Sequence, residues 1–491
     1  MEVLSHGCTL DCFDCCKFNV YKEGSEILKI EGDKDHPFTK GLICKKGIAH
    51  LKRLNHKDRI YTPLLKNNGV WEEISFEDAL EIMKEKLEST KEKYSSKSIL
   101  YYSQYGSGGV LKGIEDIFFN FYGGVSKATG GPCWSAGMRA QKYDFGDSVS
   151  NSLEDIINSK NIFLWGKNPA NTTIHTMAIL NKAKKNGSRI IVIDPINTQS
   201  AKLGDIHVKI KPGTDGALAM AMAKIIISKG LQDKDFINKY VLGFQEYKDH
   251  LENFDLDYLS YECGIEIEDI EKLTKYYCEK NSSIYLGYGM QKYKNGGNTI
   301  RAIDALGALT GQIGVKGGGV NYANKVLSRI LDLDPFKSGE VGENREFYVS
   351  NINEFIEEPK KYSLSIEDSN APIKIMVIAN SNLMNQLPNL NRLNNSIDKV
   401  EFKVCFDMFM TDTASKCDLF IPCTNTLESE DMVFSSMTNP YLIYNEKIIE
   451  PREKLMDEYY FFRKLAKRMN LKGYPILSKK EYLSKVIEPL M

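Results

Sequence analysis

The stretch CTLDCFDCC, residues 8 to 16, puts four cysteines into nine positions, and a fifth, Cys44, returns after a long interval. No apolar run reaches spanning length, Met1 opens no signal-like apolar region and no twin-arginine pair precedes the cysteines. The expectation is therefore a cytoplasmic chain without a membrane span. In a reducing compartment structural disulfides are disfavoured, so thiols crowded this closely point to metal. Cys8, Cys12, Cys16 and Cys44 read as C-x3-C-x3-C-x27-C. Three thiolates on a short irregular loop, with a fourth arriving from a distance, suit a 4Fe-4S cube. A structural zinc site more often presents paired C-x2-C knuckles. Cys12 and Cys15 make one such pair, so zinc stays open at this level, as does Cys15 in place of Cys16. The dispersed Cys263, Cys278, Cys405, Cys417 and Cys423 read as small buried residues.

A chain of 491 residues exceeds what one hydrophobic core serves, which implies two or three domains. Charged residues make up 26% of it, yet the net charge is only -1, which argues against a nucleic-acid surface. Short-period repeats and low-complexity linkers are absent from the sequence. After Cys16 the pattern alternates apolar and polar residues around Gly24 and again around Gly32 and Asp33, predicting a small antiparallel hairpin that carries the cysteine loop. Beyond residue 58, SFEDALEIMKEKLEST predicts an amphipathic helix capped at Ser75, with Asp78 at its third position. SILYYSQYGSGG is an apolar strand entering a loop with Gly106, Gly108 and Gly109. Strand, glycine loop and helix in succession are the units of a doubly wound sheet.

The same grammar recurs. KNIFLWGKNPANTT, RIIVIDPINTQS and VKIKPGTDGALAMAMAKIII supply strands ending in a Gly-x-Asn-Pro turn, an aspartate, and a Pro-Gly-Thr-Asp turn entering an alanine-rich helix. Ligands collect at such carboxyl ends, where backbone N–H groups meet phosphate and a carboxylate can accept from a sugar or base. SIYLGYGMQKYKNGGNTIRAIDALGAL adds a Gly-x-Gly turn and a striped helix, and IKIMVIANSN and VCFDMFMTDTASKCDLFIP add further strands with polar turns. In GGPCWSAGMRAQ, Cys133 stands just before a helix start, a place that favours thiolate, the metal-binding form. The span from Lys325 to Ala371 has the weakest periodicity and is expected to lie over an active-site funnel.

The cysteine loop, the hairpin, EGDKDHP and GLICKKG together resemble the N-terminal iron-sulfur domain of the molybdopterin oxidoreductase family, the group of dimethyl sulfoxide, nitrate and thiosulfate reductases and formate dehydrogenases. The resemblance runs in order from Cys8 to about Asp431. It implies an α/β fold: a small N-terminal iron-sulfur β domain at 1–57 and two interleaved doubly wound α/β domains. One of these is discontinuous, at 58–140 and 326–491, and the other, at 141–325, binds a pterin dinucleotide. It implies a 4Fe-4S cluster on Cys8, Cys12, Cys16 and Cys44, Lys46 between cluster and pterin, and Cys133 as the protein ligand to molybdenum or tungsten in a bis-molybdopterin guanine dinucleotide cofactor.

Carried over as cofactor contacts are Gly166, Asn168, Pro169, Thr172, Asp194, Thr198, Gly213, Thr214, Asp215, Gly287, Gly289 and Gln291, then Asn380, Asn382, Thr411 and Thr413, with Asp418 and Glu428 as further polar positions. Pro169 is expected to be structural and Asp418 to hold a loop. Trp134 stands where formate dehydrogenases have a histidine, which counts against formate. The implied activity is two-electron oxo, sulfur or hydride transfer on a small-molecule substrate, with electrons leaving to a ferredoxin-like subunit. The sequence ends at Met491 after a helical tail, where the family continues into a β-rich domain over both dinucleotides. Either a separate subunit supplies that cover or the chain is incomplete. An inactive electron-relay subunit, or a non-redox hydratase or transhydroxylase on this scaffold, are the competing readings.

Overall fold

A computed structural model describes residues 1–104, 108–365, 370–435 and 437–491. Gly106 of the expected glycine loop lies outside the described residues. The N-terminal sheet is antiparallel, ordered β1 (Glu2–Gly7), β2 (Lys17–Glu23) and β3 (Glu26–Gly32). The β2–β3 pair is the expected hairpin, turning at Gly24 with φ of 56°. The alternation did not disclose β1, because EVLSHG carries too few apolar residues to show a period. What holds it is backbone pairing with β2, and the Gly7 N–H donates to Asn445 Oδ1 at 2.6 Å.

Two larger sheets follow. The first takes β4 (Leu64–Asn67), β5 (Val70–Glu73), β6 (Ile99–Ser103) and β7 (Ser126–Thr129), and later β13 (Arg345–Tyr348), β14 (Ile375–Ala379), β15 (Phe402–Asp407) and β16 (Leu419–Pro422). Their order is β13-β7-β6-β14-β15-β16-β4-β5, parallel apart from the β4–β5 hairpin at one edge. The second is wholly parallel: β8 (Asn161–Trp165), β9 (Arg189–Ile193), β10 (Ile206–Val208), β11 (Ser282–Leu286) and β12 (Val320–Asn321), ordered β10-β9-β8-β11-β12. In β8, β11 and β14 every residue is buried, as a strand covered by helices on both faces requires. Each sheet reverses its winding once, between β6 and β14 in the first and between β8 and β11 in the second, which places a crevice at each reversal.

The expected helix at Ser75 spans Phe76–Lys93, with the full reciprocal cap between Ser75 and Asp78. The span from Lys325 to Ala371 is more regular than its weak periodicity suggested. Its strand β13 pairs parallel to β7, and Phe347, Val349, Ile352, Phe355 and Ile356 pack into the core beside β14, so it is an edge of the sheet. Its buried apolar residues are spread over short elements, among them a four-residue strand and a six-residue helix, too short for a period to register. The helix Glu458–Arg468 near the C-terminus also belongs to the core, with Phe461, Phe462 and Leu465 fully buried and Phe462 against Phe118 and Phe406. A hairpin of β17 (Asp431–Phe434) and β18 (Leu442–Asn445) lies across the N-terminal domain, where Lys22 Nζ donates to Ile448 O at 2.7 Å. Among the described residues no helix is long and apolar enough to cross a membrane.

Candidate functional site

The cysteine loop follows β1, and Cys44 caps the helix Lys45–Leu54, so β-sheet and helix start bring the thiols together. Burial pushes the Cys8 thiol up to about 11 and Cys12 to about 12, and it raises Cys16 further. After burial, the neighbours that raise Cys16 include Cys12, Cys8 and Cys44. Buried thiols such as Cys8, Cys12 and Cys16, raised by desolvation and by one another, make a donor set that becomes anionic around a cationic centre, which fits an iron-sulfur cluster. A Cβ on Gly47 would lie 4.0 Å from Cys8 Sγ and closer still to Ile43, so the helix start is packed tightly against the loop. Cys15, at φ 45°, spends its S–H on Tyr441 O at 3.3 Å and packs with Val433 and Ile443. Lys46 stands exposed on the first turn of the helix.

Sequence reasoning missed His175. It sits on the helix Ile174–Lys185 of the five-stranded sheet, 4% exposed, and reaches the N-terminal domain. Nδ1 lies 2.8 Å from Asp14 Oδ2 and Nε2 lies 2.9 Å from Leu42 O. Burial disfavours its charge, but Asp14 outweighs that and raises its pKa. One imidazole therefore ties the loop of Cys12 and Cys16 to the segment leading into Cys44. Beside it, Lys167 is buried with Nζ 4.1 Å from the Phe13 ring centre, and burial takes its pKa down to about 8 against the pull of Asp14.

Cys133 occupies the crossing between the sheets. The chain leaves the carboxyl end of β7, turns through Gly130–Trp134 and enters the helix Ser135–Phe145, which packs on the helix Gly296–Leu309 behind β11. The thiol is exposed; partial burial raises its pKa, Lys292 opposes that and Asp11 adds to it. The wall behind it is aromatic. Trp134 lies 5.8 Å from Tyr288, Tyr288 4.7 Å from Tyr322 and 5.7 Å from Phe13, so rings join the Cys133 loop to the cysteine loop.

The remaining expected residues divide by what their side chains do. Gly166 and Gly287 meet at the reversal between β8 and β11, where a Cβ on Gly287 would overlap the Gly166 carbonyl, and Gly287 N–H donates to Trp165 O at 2.8 Å. Gly213, Gly289 and Thr172 are exposed along the same edge, and Pro169 is buried at the start of a one-turn helix. Asn168 Oδ1 and Thr198 Oγ1 are engaged within the turns, accepting from Ser200 Oγ at 2.6 Å and Ala201 N at 3.0 Å. Thr214 Oγ1 donates to Lys211 O at 2.7 Å. Asp194 Oδ1 accepts from Ile196 N at 3.0 Å, and Asp215 Oδ1 accepts from the Trp165 indole at 2.8 Å, which makes Asp215 a strut for β8. Gln291 is buried and bonds the Cys133 loop.

At the other sheet a cavity of about 290 Å³ opens at the carboxyl ends of β14, β15 and β16, bounded by Thr9, Arg53, Asn380, Asn382, Asp407 and Asp431. Asn380 sits at φ 53°, a conformation asparagine tolerates, and donates to Lys112 O at 3.1 Å. Thr413 Oγ1 donates to Asn382 Oδ1 at 2.6 Å, and Thr411 caps the turn Asp412–Ser415. Asp418 holds Lys403, with N–H and Nζ at 2.8 and 3.0 Å. Glu428 is fully buried in an ion pair with Arg59. Two winding reversals, each with glycine or asparagine turns at strand ends, fit two elongated ligands, one per sheet.

The family description Molybdopterin oxidoreductase matches residues 59–468, and the description Molybdopterin oxidoreductase Fe4S4 domain matches residues 5–56. The chain belongs to the molybdopterin oxidoreductase family. It is 35% identical over 483 residues to the probable oxidoreductase YyaE of Bacillus subtilis (strain 168), covering 98% of this chain and 71% of that protein. It is 30% identical to the assimilatory nitrate reductase catalytic subunit of the same organism, covering 82% and 59% of the two chains. Against formate dehydrogenase H of Escherichia coli (strain K12) identity is 26%, covering 95% and 68%. Among solved structures, acetylene hydratase from Pelobacter acetylenicus superposes with a TM-score of 0.81 at 23% identity over 99% of this chain and 72% of that one, a likeness of fold. This molybdopterin oxidoreductase therefore carries both the N-terminal Fe4S4 domain and the α/β body of its family.

Proposed function

We propose that the chain is the catalytic subunit of an oxidoreductase that holds molybdenum or tungsten between two pterin guanine dinucleotides and Cys133, and exchanges two electrons with a small-molecule substrate by oxo, sulfur or hydride transfer. The observation that carries this reading is the exposed thiol of Cys133 at the crossing of two sheets, each with a crevice at its reversal. When bound, the metal would supply oxidation states two electrons apart and the cluster single-electron steps. Cys8, Cys12, Cys16 and Cys44 would hold the cluster, Lys46 would stand between it and a pterin, and electrons would leave to a ferredoxin-like protein.

The chain's own groups shape the reaction at Cys133. Trp134, Tyr288 and Tyr322 form a linked aromatic wall beside the Cys133 loop. Lys292 places positive charge and Asp11 negative charge near the thiol. Cys133→Ala tests the reading. The variant is expected to keep the cluster's paramagnetic resonance signal while losing one sulfur from the X-ray scattering around the metal, along with turnover with artificial donors. Unchanged activity would overturn it.

A further inference from the structure

We propose that Gln291 is the positioning residue that sets the Cys133 thiolate in the crevice. The inference rests on the reading of Cys133 as the metal ligand. Gln291 was expected to line the cofactor, but its carboxamide is consumed elsewhere. Nε2 donates to Pro132 O at 3.0 Å and to Cys133 O at 3.1 Å, and Oε1 accepts from Ala136 N at 2.9 Å. One side chain thus grips the residue before Cys133, Cys133 itself and the first turn of the helix after it. The three bonds admit one orientation of the amide, since the reverse would set N–H against N–H and oxygen against oxygen.

The grip is itself anchored. Gln291 is 7% exposed and follows the Gly287–Gly289 turn at the end of β11. A Cβ on Gly296 would overlap the Gln291 carbonyl, so the start of the helix Gly296–Leu309 presses on its backbone. From the other side the Tyr322 hydroxyl donates to Trp134 O at 3.0 Å, and a Cβ on Gly137 would overlap the Tyr322 ring. Cys133 itself is largely exposed, so the loop carbonyls on either side do most to fix it. The rotamer and height of the thiolate therefore follow the carbonyls that Gln291 holds, and a ligand atom misplaced by an ångström costs reactivity steeply.

The test uses the full-length metal-free chain first. In Gln291→Leu the Ala136 amide is expected to exchange with deuterium roughly tenfold faster, the loss of one hydrogen bond's local stability, and Cys133 to be alkylated severalfold faster by iodoacetamide, while amides of β8 and β11 keep their protection. Gln291→Glu retains the acceptor for Ala136 but turns a carboxylate on two carbonyls. It should therefore keep the Ala136 protection and still speed alkylation once rates are compared per thiolate, taken from each variant's pH profile of alkylation. In metal-loaded protein Gln291→Leu is expected to lengthen or lose the thiolate sulfur shell around the metal. A folded Gln291→Leu chain with parental exchange and alkylation would overturn the proposal. If Gln291→Leu does not fold, parental alkylation in Gln291→Glu overturns it. An error in the reading of Cys133 would show separately, as sulfur scattering that Cys133→Ala leaves unchanged.

Discussion

Cys15 and Cys16 are neighbours in sequence with different surroundings. Cys12 and Cys8 act on both thiols, but the Cys15 thiol is bonded to Tyr441 O, whereas the Cys16 thiol is acted on by Cys44 as well. Cys16→Ser is expected to abolish or alter the paramagnetic resonance of the reduced cluster and Cys15→Ser to leave it unchanged; the reverse pair of results would move the ligand by one residue. Glu115 offers a second residue-level test. It is 1% exposed, and burial lifts its carboxyl to about 8 against an ordinary 4.5. Between those values the folded chain binds the proton more tightly than the unfolded chain, so stability falls as pH rises through the window, and the loss is complete above it. Glu115→Gln is expected to match the parent at about pH 5 or below and to be more stable by roughly 2–4 kcal/mol at about pH 9, read from urea midpoints. A gain that is constant with pH would show that ionisation is not the cause.

Among the elements, the link between the N-terminal domain and the eight-stranded sheet depends on a buried charge pair. Arg59 follows the helix Lys45–Leu54, donates to Leu54 O at 3.3 Å and to Cys423 O at 3.4 Å, and pairs with Glu428 in the turn after β16, both side chains fully buried. Glu428 also accepts from Asn425 N at 2.8 Å, closing that turn on itself. Arg59→Met is expected to cost about 3–5 kcal/mol, because it strands a buried carboxylate. Arg59→Met with Glu428→Leu should recover much of that loss, since no charge is then left without its partner. Denaturant unfolding of the single and double variants distinguishes the two; an equal loss in both would assign the effect to packing alone.

For the whole molecule, the N-terminal sites and the crevice differ in enclosure. Cys16 is buried, and Cys8, Cys12 and Cys44 are half-buried. By contrast Cys133, Lys46, Thr172, Gly213 and Gly289 are exposed. Water reaches a ligand at that edge, and an exposed ligand forfeits much of the burial that makes binding tight. A polypeptide of these 491 residues purified alone is expected to carry about four irons per chain and well under one molybdenum or tungsten, rising when a covering subunit is co-expressed. Elemental analysis checks this, and full metal with two pterins in the isolated chain would show that the crevice closes without help. The helix Glu458–Arg468 is not free to close it, since its apolar face is spent in the core.

Local order in the chain determined the parts that depend on local chemistry. Cysteine spacing marks the metal loop, because four sulfurs must reach one centre. Apolar runs ending in glycine or asparagine turns mark β8, β11 and β14, because parallel strands are buried on both faces and their ends must bend sharply. Among what escaped this logic are β1, too short and polar to show a period, the hairpins β4–β5 and β17–β18, and β13, which is recognisable only beside β7. Tertiary structure alone decided how the polar residues at the strand ends are used. Asp215 braces Trp165, Thr198 and Thr411 cap helical turns, and Gln291 grips a loop more than 150 residues away in sequence. His175 reaches Leu42 and Asp14 from another sheet. A hydrogen bond is satisfied by whichever group the fold brings within about 3 Å, and no local pattern records that partner.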